Sequence, residues 1–159
     1  MDATIRVVAV GQADAGLIDS ARTLFHEYAG ALGIDLSFQR FDEEMARFPS
    51  DYLPPDGALR LAVWDQGALG CVAVRRFGQG ICEMKRLYVR PPGRGAGLGR
   101  RLAEAAVDAA TRLGYGRMRL DTLPTMEAAR ELYVALGFVE IAPYYHNPIA
   151  GTRYMERTL

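Results

Sequence analysis

Two cysteines, two histidines and three serines are all that this 159-residue sequence offers of the side chains that most often mark metal sites and nucleophilic hydrolases. Cys71 and Cys82 fall in segments that read as strands and lack any metal-type pairing, which predicts buried, reduced thiols. His26 opens "HEYAG", which has no second histidine of a zinc-protease helix, and His146 is remote in sequence, so no metal is expected. No serine stands in a G-x-S-x-G context, which removes the common hydrolase elbow. Excess charge is also missing. Nineteen basic residues balance nineteen acidic ones, so no global field draws the protein onto nucleic acid or an anionic membrane surface. No basic-then-apolar leader opens the sequence, and no apolar run approaches the ~20 residues of a membrane-spanning helix. These absences predict a soluble, cytoplasmic protein. With no internal repeat or dividing linker, residues 1–159 are expected to form one domain.

Half of the residues are apolar, enough for one sizeable core. Thr4 to Val10 has the β-branched density of a strand, and Ala13 to Ala31 repeats apolar residues at helical spacing. Asp42 is a candidate N-cap for a short helix reaching Phe48. "LRLAVWD" and "ALGCVAVRRF" flank Gln66-Gly67 and read as an antiparallel hairpin, which "ICEMKRLYV", Ile81 to Val89, extends to a meander. Leu98, Leu102, Ala105, Ala109 and Leu113 mark one face of a helix, with Arg100, Glu104, Asp108 and Arg112 on the other. "RMRLDT" is a further strand. Pro124 suits the first turn of another helix, which Gly137-Phe138 closes in the manner of a Schellman motif. Extended segments follow at Val139 to Ile141 and Thr152 to Arg157. The order β-α-(α)-β-β-β-α-β-α-β-β requires a mixed sheet with helices on both faces.

The most distinctive stretch is "RPPGRGAGLGRRLAEAA", with glycine at every second position from Gly93 to Gly99. A strand entering a glycine turn ahead of a helix presents unpaired amides at the positive end of the helix dipole, which suits phosphate oxygens. Spacing excludes two familiar versions. Leu98 and Arg100 stand where a dinucleotide fingerprint needs its last glycine, and the turn has no lysine for a P-loop. A turn that is glycine-rich only to be tight stays open on these grounds.

The surroundings are more specific. Arg94-x-x-Gly97-x-Gly99, preceded by "LYV" and followed by an amphipathic helix, resembles the cofactor motif of the GNAT family of N-acetyltransferases. "ARELYVALGF", Ala129 to Phe138, resembles that family's second signature, A-x-x-L-Y-x-x-x-G-F. The likeness spans nearly the whole sequence and is weakest from Ile34 to Gly57. It implies an α+β fold, a three-layer α/β/α sandwich around a central mixed, mostly antiparallel sheet. It also implies acetyl-CoA as co-substrate. The pyrophosphate would be wrapped by Arg94, Gly95, Ala96, Gly97, Leu98, Gly99 and Arg100, and the pantetheine arm would pair with the main chain of Leu87, Tyr88 and Val89. Tyr133 matches the tyrosine that protonates the leaving thiolate. Glu83 matches the base of some members, and even spacing along a strand would set it on the face of Leu87. Met126 departs from the asparagine that often opens the second signature, which leaves its cofactor contact either missing or replaced by Asp121, Thr122 or Thr125.

The expected reaction is acetylation of a primary amine, first of a small molecule and second of a protein, by direct attack. A homodimer is left open. Tyr28, Gln39, Tyr52 and the turn "PYYHNP", Pro143 to Pro148, are acceptor-site candidates. An acyl-CoA-binding module without turnover and a nucleotide-binding domain stand as alternatives.

Overall fold

The computed structural model describes residues 4–33 and 40–159. Gln39 therefore lies outside the described residues. Seven strands form one sheet: β1 (Arg6–Ala9), β2 (Ala58–Trp64), β3 (Gly67–Gly78), β4 (Ile81–Val89), β5 (Arg117–Thr122), β6 (Val139–Ile141) and β7 (Arg153–Thr158). Their spatial order is β1-β2-β3-β4-β5-β7-β6, and every neighbouring pair is antiparallel except β4 with β5. The parallel pair is the product of a crossover through helix α3 (Leu98–Arg112). Helices α1 (Ala15–Leu32) and α2 (Phe41–Arg47) cover one face, and α3 with α4 (Glu127–Ala135) covers the other. This is the expected α+β, three-layer arrangement. Among the described residues no helix is long and apolar enough to cross a membrane.

Local sequence explains most of the boundaries. On α3 the buried set Leu98, Leu102, Ala103, Ala106, Ala109 and Ala110 follows helical spacing, and its small alanines bring the helix close to the sheet. Its outer face carries the ion pairs Arg100–Glu104 at 2.7 Å and Arg112–Asp108 at 3.1 Å. Two expected starts move. Arg40, in the left-handed region at φ 56°, precedes α2, and Asp42 falls inside the first turn beside Glu43 and Glu44, where negative charge suits the helix dipole. That helix stops at Arg47 because Phe48 precedes Pro49 and takes an extended ψ of 135°. Pro124 lies ahead of α4, where a turn closed by the Met126 amide on the Leu123 carbonyl delays the helix. Cys71 and Cys82 are buried free thiols in β3 and β4.

One irregularity positions everything that follows. Cys71 pairs with Tyr88 and Ala73 with Lys85, so the single residue Val72 of β3 faces both Arg86 and Leu87 of β4. This is a β-bulge. Arg86 carries it at φ 59°, a conformation that a non-glycine residue holds only when its surroundings compel it. They do so through α2. Glu44 receives two hydrogen bonds from the Arg86 guanidinium, at 2.8 and 3.3 Å, and both side chains are almost wholly buried. The rings of Phe41 and Tyr28 lie 5.3 and 5.7 Å from the same guanidinium. Burial alone would lower its pKa, but Glu44 outweighs it and the group stays firmly charged.

Removing one partner leaves the other charged and unpaired in a dry site. Glu44→Ala is expected to cost about 3–5 kcal/mol in urea unfolding.

Candidate active site

Parallel pairing of β4 and β5 lasts only from Ile81↔Arg117 to Glu83↔Arg119. Beyond it β5 stays with β7 as far as Thr122, while β4 follows β3, so the two strands diverge. Among the described residues, the β4 edge from Met84 to Val89 then has no strand partner on the β5 side. A cavity of about 60 Å³ fills the apex of this split. Its walls include Lys85, Arg86 and Leu87 from β4, Asp121 from β5, Tyr28 from α1 and Tyr133 from α4. It adjoins an open, mainly apolar groove of about 570 Å³ that runs past Leu87, Tyr88 and Val89 to Arg94 and Gly99. Leu87–Val89, the glycine turn and Tyr133 therefore meet around one continuous depression.

The glycine turn supplies the donors at its outer end. Gly95 and Gly97 adopt left-handed φ of 84° and 72°, and a Cβ on either would meet no atom within 4 Å. Glycine is needed there for conformation, and the space beside it is open. The first helical bond of α3 runs from the Arg101 amide to the Gly97 carbonyl at 3.1 Å. Among the described residues, the amides from Gly95 to Arg100 donate to no backbone carbonyl. The first turn of α3 has no acidic residue and no side-chain cap, and it carries Arg100 and Arg101 instead. Positive charge at a helix start opposes the dipole unless an anion joins it. Arg94 donates from Nε to the Val89 carbonyl at 3.0 Å, tying the turn to the end of β4.

Tyr133 is fixed by the way α4 ends. Gly137, at φ 92°, donates to the Val134 carbonyl, and Phe138 donates to the Tyr133 carbonyl, both at 3.0 Å. That is the predicted Schellman motif, with Phe138 packed edge-on against Tyr133 at 5.7 Å. The phenol is 7 % exposed, and its hydroxyl has no hydrogen bond to a described residue. Burial raises its pKa above the ordinary tyrosine value, and the charges of Tyr28 and Asp121 push the same way. The phenol is therefore held in its protonated form.

Glu83 is arranged differently from the even-spacing expectation. The bulge inserts a residue between it and Leu87, so period-two alternation fails. Leu87 and Val89 pack with the core on the α3 face, whereas Glu83 pairs across to Arg75 and turns to the other side. Its carboxylate receives Arg75 Nε at 3.1 Å and the Tyr144 hydroxyl at 2.9 Å. Glu83 is not among the residues lining the cavity. The tyrosine-rich turn behind this contact crosses the split: Tyr145 donates to Asp121 of β5, and Tyr144 stacks edge-on with Phe77 at 5.1 Å and Tyr154 at 5.2 Å. The Arg119 guanidinium lies over both Phe77 and Tyr144. Tyr28 reaches the cavity as its position in α1 allows, but Tyr52 is wholly buried against Phe25 in the α1-side core. Met126 lines both cavity and groove at the place where asparagine was absent; Asp121 lines the cavity and Thr125 the groove. Thr122 is buried with its hydroxyl unpaired among the described residues. Lys85 and Arg86 are charged wall residues that the motifs did not indicate.

Comparison with known proteins gives the family and the fold. Residues 20–138 match the sequence profile of the acetyltransferase (GNAT) family. The sequence is 47 % identical over 140 residues to an uncharacterized N-acetyltransferase of Schizosaccharomyces pombe, covering 87 % of this chain and 86 % of that one. In fold it resembles an acetyltransferase of the GNAT family from Staphylococcus aureus, with a TM-score of 0.76 at 17 % identity, covering 98 % of this chain and 99 % of the other. It also resembles the PaiA N-acetyltransferase of Thermoplasma acidophilum, solved in complex with coenzyme A, with a TM-score of 0.65 at 18 % identity over 98 % and 99 % of the two chains.

The nearest atom to a Cβ on Gly137 would be 4.0 Å away, so its requirement is conformational. Gly137→Ala is therefore expected to destabilise the protein by about 1–2 kcal/mol in chemical denaturation, the cost of a left-handed residue with a side chain.

Proposed function

Because the chain belongs to the acetyltransferase (GNAT) family, and is thus an acetyl-CoA-dependent N-acetyltransferase, we propose that it acetylates the primary amine of a small molecule by direct attack on the bound thioester. The observation that carries this reading is the run of amides from Gly95 to Arg100, unpaired among the described residues, at one end of a groove whose other end is the cavity beneath Tyr133. Acetyl-CoA supplies the activated acyl group. In this reading its diphosphate meets the amides of Gly95, Ala96, Gly97, Leu98, Gly99 and Arg100, with Arg94 at the flank. Its amide-bearing arm adds to the free β4 edge at Leu87, Tyr88 and Val89, as an extra strand would. Negative charge gathering on the thioester oxygen is met by an amide of that edge. The new bond joins the amine nitrogen to the acyl carbon, the nitrogen loses a proton to a base in the site, the carbon–sulfur bond breaks, and the Tyr133 hydroxyl gives its proton to sulfur.

Glu83 enters this reading through Tyr144. A carboxylate occupied by Arg75 and by a tyrosine hydroxyl fixes the aromatic turn against which the acceptor rests. A cavity of about 60 Å³ favours the slender end of a small amine, and a protein amino group is the second acceptor. All the residues invoked belong to one chain, so the scheme serves one domain over residues 1–159, in the cytoplasm, as a monomer or a homodimer.

Release of free thiol from acetyl-CoA across a panel of diamines, amino acids and aromatic amines tests the assignment. At least one amine is expected to raise the rate above hydrolysis. Tight coenzyme A binding with no amine-dependent release would make the protein a binding module instead, and ATP competing equally well would indicate a nucleotide site. Tyr133→Phe is expected to lower kcat by about 10²-fold or more with coenzyme A affinity nearly unchanged. Glu83→Gln is expected to raise the acceptor KM and keep the acidic limb of kcat/KM; disappearance of that limb would return the proton-acceptor role to Glu83.

A further inference from the structure

Of the nineteen basic residues in the sequence, eighteen are arginine, and the single lysine is Lys85. Lys85 is 6 % exposed, stands next to the bulge residue Arg86 and lines the cavity together with Tyr133 and Asp121. It makes no salt bridge or hydrogen bond to a described residue, and the carboxylates around it are engaged elsewhere. Glu83 is held by Arg75, Glu44 by Arg86, and Asp121 accepts the Tyr145 hydroxyl. Arginine would satisfy a purely electrostatic need at this position, but it cannot release its proton at any working pH. The one lysine, whose ammonium can do so, is placed in the cavity where the reaction requires a proton acceptor.

We propose that Lys85 takes the proton of the acceptor amine as that amine attacks the thioester. This rests on the acetyl-transfer reading. The nitrogen lone pair forms the carbon–nitrogen bond, and an N–H proton passes to the neutral Nζ of Lys85. The carbon–sulfur electron pair leaves with sulfur, which takes the Tyr133 proton. Return of the proton from Lys85 to the Tyr133 oxygen, through the cavity both residues line, restores the starting state.

The electrostatic surroundings favour the neutral amine. Burial is the largest influence and lowers the Lys85 pKa; Arg86 of the same strand and Arg75 of β3 act in the same sense. Glu83 and Asp121 oppose them. The remaining facing groups are the phenols of Tyr28 and Tyr133, both kept protonated by burial, and Glu44, neutralised by Arg86.

A single lysine makes the test specific. Protein grown on ¹³C,¹⁵N-lysine gives one lysine side-chain spin system, whose titration by NMR requires no acceptor. The expected midpoint lies below the ordinary lysine value of about 10.4 and coincides with the acidic limb of kcat/KM for whichever amine of the panel turns over. Lys85→Arg, or Lys85→Met should the arginine fail to fold, is expected to bind coenzyme A within about twofold of the wild type. Either variant should lose about 10²-fold or more in kcat and lack that limb. A midpoint at or above about 10.4 overturns the proposal, as does wild-type kcat/KM with the same acidic limb in Lys85→Arg. An acetyl group found on Lys85 by mass spectrometry after incubation with acetyl-CoA, with activity lost, also overturns it, because Lys85 would then be an acceptor. Absence of turnover on every amine sinks the acetyl-transfer reading itself, whatever the titration shows.

Discussion

A guanidinium and a carboxylate, both cut off from water between α2 and the sheet, hold the β4 backbone where it would not rest unaided. Arg86 at positive φ is an unfavourable conformation for a residue with a side chain, and its pairing with Glu44 compels it. The consequences spread along the strand in both directions. Upstream, the alternation of side chains is reversed relative to the downstream half, so Glu83 and Leu87 serve different faces. Downstream, β4 follows β3 away from β5 and leaves an edge that no strand of the described residues pairs with. A break in one ladder thus creates both the cavity and the groove, with no need for a large insertion.

The other end of the groove depends on what α3 omits. A helix ordinarily begins with a capping side chain or acidic residues in its first turn, and α3 has neither. Gly97 in a left-handed conformation leads into it, and arginines follow. The alanine face buried on the sheet supplies the stability that the helix start lacks. Strong packing along one side therefore permits an unsatisfied end, and an unsatisfied end is what an anionic ligand requires.

Much of this was legible from residue spacing. The three-strand meander, the stripe of α3 and the Schellman stop behind Tyr133 each arise from local rules, and the structure reproduces them. The misjudged features involve tertiary partners. Asp42 looks like a cap, but the chain turns through Arg40 and spends the acidic cluster on the first turn, where Glu44 meets a residue far along the sequence. Glu83 and Leu87 share a face in a regular strand, and nothing local in "EMKRL" announces the inserted residue. Tyr52, grouped with the acceptor candidates, is an ordinary core aromatic. Lys85 carried a signal of another kind: its rarity in an arginine-rich composition, which motif spacing does not register.

The turn at Tyr144 and Tyr145 fastens one hydroxyl to each lip of the divided sheet, Glu83 on β4 and Asp121 on β5. It works as a spacer bar whose span sets how wide the narrow end of the cleft stands. The glycine turn, at the opposite end, takes no part in that bracing. Substitutions within residues 143–148 can therefore reshape one end of the molecule while the other keeps its form.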